Sequence, residues 1–275
     1  MKTKPMTKFA ILALSLVLVA CAGGGSEEAG CPAIDGREIN VVATTPMIGE
    51  FVSQVGGENI NLTVLMPPEA NPHTYEPAPQ DAGTIAEADL VFYTGLLYEP
   101  AALVKLLENS ACSTDILSEV GESVFPIEFK EGGHDDHDDH DDHDDEEGHD
   151  DEEGHDDEEG HDDEEGHDDH EGHNHGAYDP HFWFDPSRVA YAAEYIESRL
   201  IEFDPENESS YKSSADSFVS ELNDLTKQVS ELISTVPSQN RKLITTHESL
   251  GYLEAKFGLE VLSTIIPSLN SANEI

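Results

Sequence analysis

Apolar and β-branched runs alternate with segments of helical spacing along most of the chain. The runs are short enough to be buried strands, and the segments between them repeat their apolar residues with the period of a helix. This alternation predicts an α/β fold in which mostly parallel sheets are covered by helices. The predicted strands are 39–45, 60–65, 90–94, 242–246 and 259–265, and the predicted helices are 46–56, 81–88, 100–109, 186–203, 207–234 and 248–257.

The helix predicted over 207–234 is much longer than the others. Its length, about eight turns at 3.6 residues per turn, is enough to join two lobes. Its apolar residues recur at helical spacing and are Phe218, Leu222, Leu225, Val229 and Leu232. We therefore predict two α/β lobes joined by a rigid helix. The N-terminal lobe is expected over 39–129 and 178–206, the linking helix over 207–236, and the C-terminal lobe over 237–275.

The segment 130–177, called the insert below, interrupts this pattern. Between His134 and His175 it has 25 acidic residues, no lysine or arginine and no apolar residue. Because it cannot bury a core, it is predicted to be disordered without a ligand. It also holds eleven of the 14 histidines, in His-Asp-Asp triplets and Gly-His-Asp-Asp-Glu-Glu hexads. They are His134, His137, His140, His143, His149, His155, His161, His167, His170, His173 and His175.

Two interpretations of the insert stand side by side. It is either an acidic spacer with incidental histidines, or a loop that collects metal ions. Neutral imidazole suits zinc, copper and nickel, and carboxylates raise the local cation concentration. We favour metal collection, at modest affinity, because each bound ion must order the chain at about 1 to 2 kcal/mol per residue fixed. A tight site must lie elsewhere.

The N-terminus is predicted to direct export. Three lysines precede an apolar run over 9–20, which is shorter than the about 20 residues of a membrane-spanning helix. This pattern indicates a signal peptide over 1–20. The sequence Leu-Val-Ala-Cys at 18–21 resembles the bacterial lipobox, which implies a lipid anchor on Cys21. A flexible tether is expected over 21–38, and the protein is expected at the outer face of the cytoplasmic membrane or in the periplasm.

The two remaining cysteines bear on the fold, and the net charge limits the possible ligands. Export allows Cys31 and Cys112 to form a structural disulfide, which we favour over two unpaired thiols. A redox Cys-x-x-C pair is absent from the sequence. A formal net charge of −46 argues against nucleic acid and anionic surfaces as ligands and favours cations.

Three histidines lie outside the insert: His73, His181 and His247. A single loop histidine is most often a hydrogen-bonded structural residue. These three, however, lie on Pro-rich loops or at strand ends, where ligands bind in open α/β sheets. Three imidazoles that converge between two lobes would form a zinc site with one position left for a carboxylate or water.

The same residues carry a family resemblance. The motifs are Asn-Pro-His-Thr-Tyr-Glu-Pro at 71–77, Asp-Pro-His-Phe-Trp at 179–183 and Thr-His-Glu-Ser-Leu-Gly-Tyr-Leu at 246–253. The chain resembles the solute-binding proteins of zinc and manganese ABC importers, the cluster A-I type, from about residue 39 onward. The resemblance implies metal held between the lobes by His73, His181 and His247, with an importer permease and its ATPase as partners. A histidine at the third ligand position, together with a His-rich insert, is similar to the zinc branch of the family. Manganese is the second choice of bound metal.

The chain departs from the family pattern at its C-terminal end. Family members continue past the position of Ile275 and often supply a carboxylate ligand there, so we expect an incomplete second lobe and a fragmentary sequence.

Two other functions are considered. A zinc hydrolase with Glu248 as base is disfavoured, because the sequence lacks the His-Glu-x-x-His spacing. A surface adhesin or periplasmic metal buffer, with the insert as its working part, is the alternative. We expect a monomer without catalytic residues.

Overall fold

The computed structural model describes residues 31, 33–34, 36–128 and 178–265. The predicted signal peptide, Cys21 and all eleven histidines of the insert lie outside these residues. The strands are β1 (Ile39–Ala43), β2 (Ile60–Val64), β3 (Leu90–Tyr93), β4 (Leu117–Glu119), β5 (Lys242–Thr245) and β6 (Glu260–Thr264). The helices are α1 (Pro46–Gly56), α2 (Pro79–Ala86), α3 (Ala101–Ser110), α4 (Pro186–Phe203), α5 (Glu208–Ser234) and α6 (Gly251–Phe257).

The first lobe is built on a four-stranded sheet in the order β2-β1-β3-β4. All three strand pairs are parallel, so the carboxyl ends of the strands lie along one edge. The α/β fold with parallel sheets predicted from the alternating pattern is confirmed. Strand β4 was not predicted, because three residues are too few to show a hydrophobic period.

Two apolar clusters lie on the two faces of this sheet, because side chains alternate along each strand. Val41 of β1 packs with α1, α4 and α5, and its neighbour Val42 packs with α2 and α3 on the opposite face. Each side chain of this size, when fully buried, stabilises the fold by about 1.5 to 3 kcal/mol. The two clusters fix the sheet edge from which the site loops emerge.

The structure corrects the C-terminal end of the predicted tether. Residues 21–38 were expected to be flexible, but Cys31 is disulfide-bonded to Cys112. Arg37 also forms a bidentate pair with Asp89, with both N–O distances at 2.6 Å. Because Asp89 directly precedes β3 and Arg37 precedes β1, these contacts lie at the amino edge of the sheet. Cys31 and Arg37 are therefore attached to the first lobe.

The second lobe, as far as it is described, consists of β5, α6 and β6. Strands β5 and β6 form a separate parallel pair, and α5, which connects the lobes, packs against α1, α4 and α6. No helix of the described residues is long and apolar enough to cross a bilayer. The helix predicted over 248–257 begins only at Gly251, because its first turn closes with the Glu254 N–H donating to the Leu250 carbonyl. Residues 246–250 instead form a loop.

Candidate metal centre

His73 lies in the loop that follows β2 at the carboxyl edge of the sheet. Its backbone N–H donates to the Asn71 side-chain oxygen over 3.1 Å, which forms a local turn between two prolines. Further along, the Tyr75 hydroxyl lies 3.0 Å from Oδ2 of Asp81, and the Ala78 N–H donates to the same oxygen over 2.7 Å. These bonds fasten the far end of the loop to α2 and fix the path of His73.

His181 immediately precedes the short 3-10 helix Phe182–Phe184, which leads into α4. Oδ1 of Asp179 accepts hydrogen bonds from the His181 backbone N–H at 2.9 Å and from its Nδ1 at 2.8 Å. A carboxylate can only accept, so this contact places the ring proton on Nδ1 and leaves Nε2 with its lone pair.

The Nε2 atom of His181 is buried and has no hydrogen-bond partner among the described residues. The His181 residue is only 3% exposed. A buried polar atom without a partner is costly, and most such atoms in proteins are satisfied. A metal ion bound at Nε2 would satisfy it.

His247 lies just beyond the carboxyl end of β5. The Thr245 hydroxyl donates to the His247 carbonyl oxygen over 2.8 Å, which turns the chain sharply as it leaves the strand. Helix α6 therefore begins at Gly251 and not at the predicted residue 248, because residues 246–250 form the loop that carries His247.

The three histidines converge, although they come from three separate loops. One ligand atom of each lies within 4.8 Å of the other two. The ring centroids are 6.0 Å apart for His73 and His181, 5.6 Å for His181 and His247, and 6.4 Å for His73 and His247. In a tetrahedral zinc site, nitrogens bound at about 2.0 to 2.1 Å lie roughly 3.3 Å apart. Small ring movements would therefore close the cluster around one ion.

An aromatic wall encloses one side of this cluster. The Tyr98 ring contacts His73 and His181 at centroid distances of 4.8 and 5.8 Å, and Trp183 at 5.2 Å. Tyr98 is 4% exposed, so it separates the imidazoles from water on that side. Lower local polarity strengthens the attraction between a cation and its ligands.

A buried carboxylate shapes the turn that positions Tyr98. Glu99 accepts hydrogen bonds from the Thr44 hydroxyl and from the backbone N–H groups of Thr94 and Gly95. The turn contains three consecutive residues with positive φ, and two of them are leucines: Gly95, Leu96 and Leu97. Left-handed backbone at a residue other than glycine is strained and occurs where surrounding contacts hold it.

The ends of the insert meet beside the metal centre. Glu128 and Tyr178 form an antiparallel bridge, and the Asp179 N–H donates to the Ile127 carbonyl over 2.9 Å. The insert therefore leaves and re-enters the first lobe at one place, three residues before His181.

The structure thus brings together His73, His181 and His247, and within the described residues they form the one group of three or more potential metal ligands. Cys31 and Cys112 are bonded to each other. Sequence reasoning assigned no role to Tyr98, Glu99 or Asp179. Asp179 could have been found, since a carboxylate two residues before a candidate ligand is placed to orient it.

The chain also matches a known protein family. Residues 41–275 match the family model of ZnuA, the periplasmic component A of the zinc-uptake complex. The chain belongs to this family. The resemblance stated from the three motifs is therefore confirmed.

Two relatives of this ZnuA family member carry manganese in their names. The manganese ABC transporter substrate-binding lipoprotein PsaA of Streptococcus anginosus is 26% identical over 98% of this chain and 74% of its own. The manganese-binding lipoprotein MntA of Halalkalibacterium halodurans is 24% identical over 97% of this chain and 71% of its own.

Solved structures agree with the fold. A crystal structure of ZnuA has a TM-score of 0.61 at 22% identity and covers 86% of this chain and 75% of its own. The periplasmic zinc-binding protein TroA of Treponema pallidum has a TM-score of 0.61 at 20% identity and covers 82% of this chain and 66% of its own.

Membership in the ZnuA family makes this chain a metal-binding, substrate-binding component of an ABC transporter. The expectations of an extracytoplasmic location and of a protein that is not an enzyme are confirmed with it. The names of the relatives include both zinc and manganese. The choice between these metals therefore rests on the ligands of this chain.

Proposed function

We propose that the protein captures zinc outside the cytoplasm and delivers it to an ABC importer. His73, His181 and His247 are the proposed ligands, and an importer permease and its ATPase are the proposed partners. The observation that supports this assignment is the convergence of three imidazoles within 4.8 Å, with no carboxylate in the group among the described residues.

Zinc is proposed because of the donor set. Imidazole nitrogen suits zinc, copper and nickel, whereas manganese prefers carboxylate, carbonyl and water oxygens. Three neutral imidazoles should therefore hold zinc more tightly than manganese. The manganese names of the relatives belong to those proteins, and their ligands need not be these histidines.

Export and anchoring complete the proposal. We propose that residues 1–20 are removed as a signal peptide and that a lipid on Cys21 holds the protein at the membrane. The proposed domain organisation has the N-terminal lobe over 39–129 and 178–206, with the insert between them. A linking helix over 207–236 and a C-terminal lobe from 237 onward follow. The protein is proposed to act as a monomer.

Competitive dialysis tests the choice of metal. The chain lacking residues 134–175, in which metal on the insert cannot contribute, is dialysed against equal concentrations of Zn²⁺ and Mn²⁺, and the bound metals are counted by mass spectrometry. We expect one tightly bound zinc and no retained manganese. Equal retention of the two metals would exclude the zinc assignment.

Single replacements test the ligands. We expect His73→Ala, His181→Ala and His247→Ala each to remove the tight site, because two imidazoles are left. His149→Ala, in the insert, is the control and should titrate like the unmodified protein. A His73→Ala protein with unchanged zinc affinity would show that the ligand assignment is wrong.

A periplasmic zinc buffer is the second candidate, and the eleven histidines of the insert favour it. The two functions differ in stoichiometry once residues 134–175 are deleted. A transport receptor keeps one tight site after the deletion, whereas a buffer loses nearly all of its zinc. Titration of the deleted protein against a chelator of known affinity separates the two.

A further inference from the structure

Tyr252 of α6 reaches from the second lobe into the first. Its hydroxyl donates to the Asp179 carbonyl oxygen over 2.9 Å and accepts from the Ile127 N–H at 3.3 Å. The residue is 1% exposed, and its ring belongs to the apolar cluster that packs on the first sheet. Burial raises the pKa of the Tyr252 hydroxyl to about 12. The hydroxyl is protonated at neutral pH, as tyrosine ordinarily is, and can act as a donor.

Asp179 links this contact to the metal centre. Its carbonyl oxygen faces Tyr252, while its carboxylate oxygen Oδ1 holds both the backbone and the ring of His181. The residue is 4% exposed. A displacement of the Tyr252 hydroxyl therefore removes a hydrogen bond from the residue that orients His181.

The first turn of α6 touches Asp179 at a second point. A Cβ atom at Gly251 would lie 2.6 Å from Oδ2 of Asp179, closer than side-chain atoms can approach. The glycine thus lets the helix backbone lie directly against the carboxylate. Both ends of Asp179, its carbonyl and its carboxylate, are in contact with the start of α6.

The same segment carries another candidate ligand. His247 is four residues before Gly251, in the short loop between β5 and α6. Helix α6 also packs against the 3-10 helix Phe182–Phe184 that directly follows His181. A movement of α6 away from the first lobe would therefore carry His247 with it and remove the support of His181 at the same time.

We propose that Tyr252 is a positioning residue for metal retention, which ties α6 to Asp179 so that separation of the lobes and loosening of His181 occur together. This inference rests on the proposed function, because it assigns a release device to the same histidines. Loss of the Tyr252 hydroxyl should then speed zinc release more than it slows zinc capture, since capture does not require the hydrogen bond that joins α6 to Asp179.

Tyr252→Phe tests the device, because it keeps the ring in the core and removes only the hydroxyl. The full chain is loaded with less than one equivalent of Zn²⁺, so that the tight site fills first, and is mixed with an excess of chelator in a stopped-flow instrument. We expect zinc dissociation to become about tenfold faster, the effect of losing one buried hydrogen bond, with the association rate unchanged.

Tyr211→Phe is the matched control. Tyr211 of α5 is fully buried and donates to Oδ2 of Asp204 over 2.6 Å. Asp204 lines a cleft with Arg37 and Glu38, which precede β1, so this hydrogen bond lies at the sheet edge opposite the histidines. Its replacement also removes one buried hydroxyl bond, so it should lower the melting temperature without changing zinc release. The visible spectrum of bound Co²⁺ should change in Tyr252→Phe and stay unchanged in Tyr211→Phe, because only the former alters the ligand geometry.

Gly251→Ala gives a second, independent variant. Its added methyl group presses on the Asp179 carboxylate and should also speed zinc release. Two outcomes would overturn the inference: release from Tyr252→Phe at the rate of the unmodified protein, or equal acceleration by Tyr211→Phe. The proposed function fails separately, if His181→Ala binds zinc as tightly as the unmodified protein.

Discussion

The backbone N–H and the Nδ1 atom of His181 both hydrogen bond to one oxygen, Oδ1 of Asp179, at 2.9 and 2.8 Å. This arrangement fixes the ring in two ways. It sets the side-chain direction relative to the main chain, and it selects the tautomer that presents Nε2. A carboxylate behind a metal-binding histidine also makes the imidazole a stronger ligand.

Replacement of Asp179 by asparagine tests this orientation. The amide keeps the shape of the side chain but loses the negative charge, so the imidazole becomes a weaker donor to the metal. We expect zinc affinity to fall by about 10- to 100-fold, measured by competition with a chelator.

Asp204→Asn is the control for this change. Asp204 is also buried and accepts from Tyr211 and Asn207, but it lines a cleft with Arg37 and Glu38 at the amino edge of the first sheet. Its replacement should affect stability and leave zinc affinity as it was. Equal affinity in the Asp179→Asn and Asp204→Asn proteins would refute the role given to Asp179.

Glu99 predicts a dependence of stability on pH. Burial raises its pKa above the ordinary 4.5, although hydrogen bonds from Thr44, Thr94 and Gly95 oppose the shift. The unfolded chain loses the proton near 4.5, whereas the folded protein keeps it to a higher pH. In that interval the folded state binds more protons, so the contribution of Glu99 to the free energy of unfolding falls as pH rises.

Denaturant unfolding of the metal-free protein checks this sign. Glu99→Gln cannot titrate, so the difference in free energy of unfolding between the unmodified protein and the variant isolates Glu99 from other carboxylates. We expect this difference, unmodified protein minus variant, to decrease as pH rises above 4.5. A difference that stays constant up to pH 8 would contradict the prediction.

The disulfide between Cys31 and Cys112 should stabilise the fold without affecting the metal centre. It joins residues 81 apart in sequence, at the amino edge of the sheet, whereas the histidines lie at the carboxyl edge. We expect the double replacement by serine to lower the free energy of unfolding by about 2 to 4 kcal/mol. Zinc affinity, measured at a temperature where the variant is folded, should stay within twofold of that of the unmodified protein. A large loss of affinity would contradict this prediction, because it would show that the disulfide at the amino edge affects the histidines at the carboxyl edge.

The insert is expected to affect the rate of zinc binding at scarce metal. Its ends meet at the Glu128 and Tyr178 bridge, close to His181 in sequence, so zinc held on the insert has a high effective concentration at the tight site. Deletion of residues 134–175 should slow loading when zinc is well below the protein concentration, and leave the equilibrium constant unchanged. Stopped-flow loading of the intact and deleted proteins measures this, and identical rates would leave the insert as a spacer or passive store.

The hydrophobic periodicity of the sequence predicted the strands and helices of the first lobe, because buried β-branched runs and amphipathic helices leave strong local patterns. It missed β4, whose three residues are too short for a period. It also started α6 at residue 248 rather than Gly251, because the turn at Thr245 and His247 depends on a side-chain hydrogen bond that leaves no pattern in the sequence.

The candidate ligands could be named from the sequence, because few histidines lie outside the insert and each is next to a proline or a strand end. The residues that support them could not be named in the same way. Tyr252 and Asp179 are 73 residues apart and meet only through the packing of α6 on the first lobe. Contacts of this kind depend on tertiary structure, so a single sequence does not reveal them.

The bridge between Glu128 and Tyr178 also bears on how the length of the insert can change. A segment that begins and ends at one hydrogen-bonded pair can change length without moving the residues on either side. In general, doubling the length of a flexible loop costs only about 0.6 kcal/mol in closure entropy. The hexads of the insert follow one another in tandem, so its length can change by whole repeat units. The number of histidines in the insert can therefore change without altering the residues that hold the tight site in place.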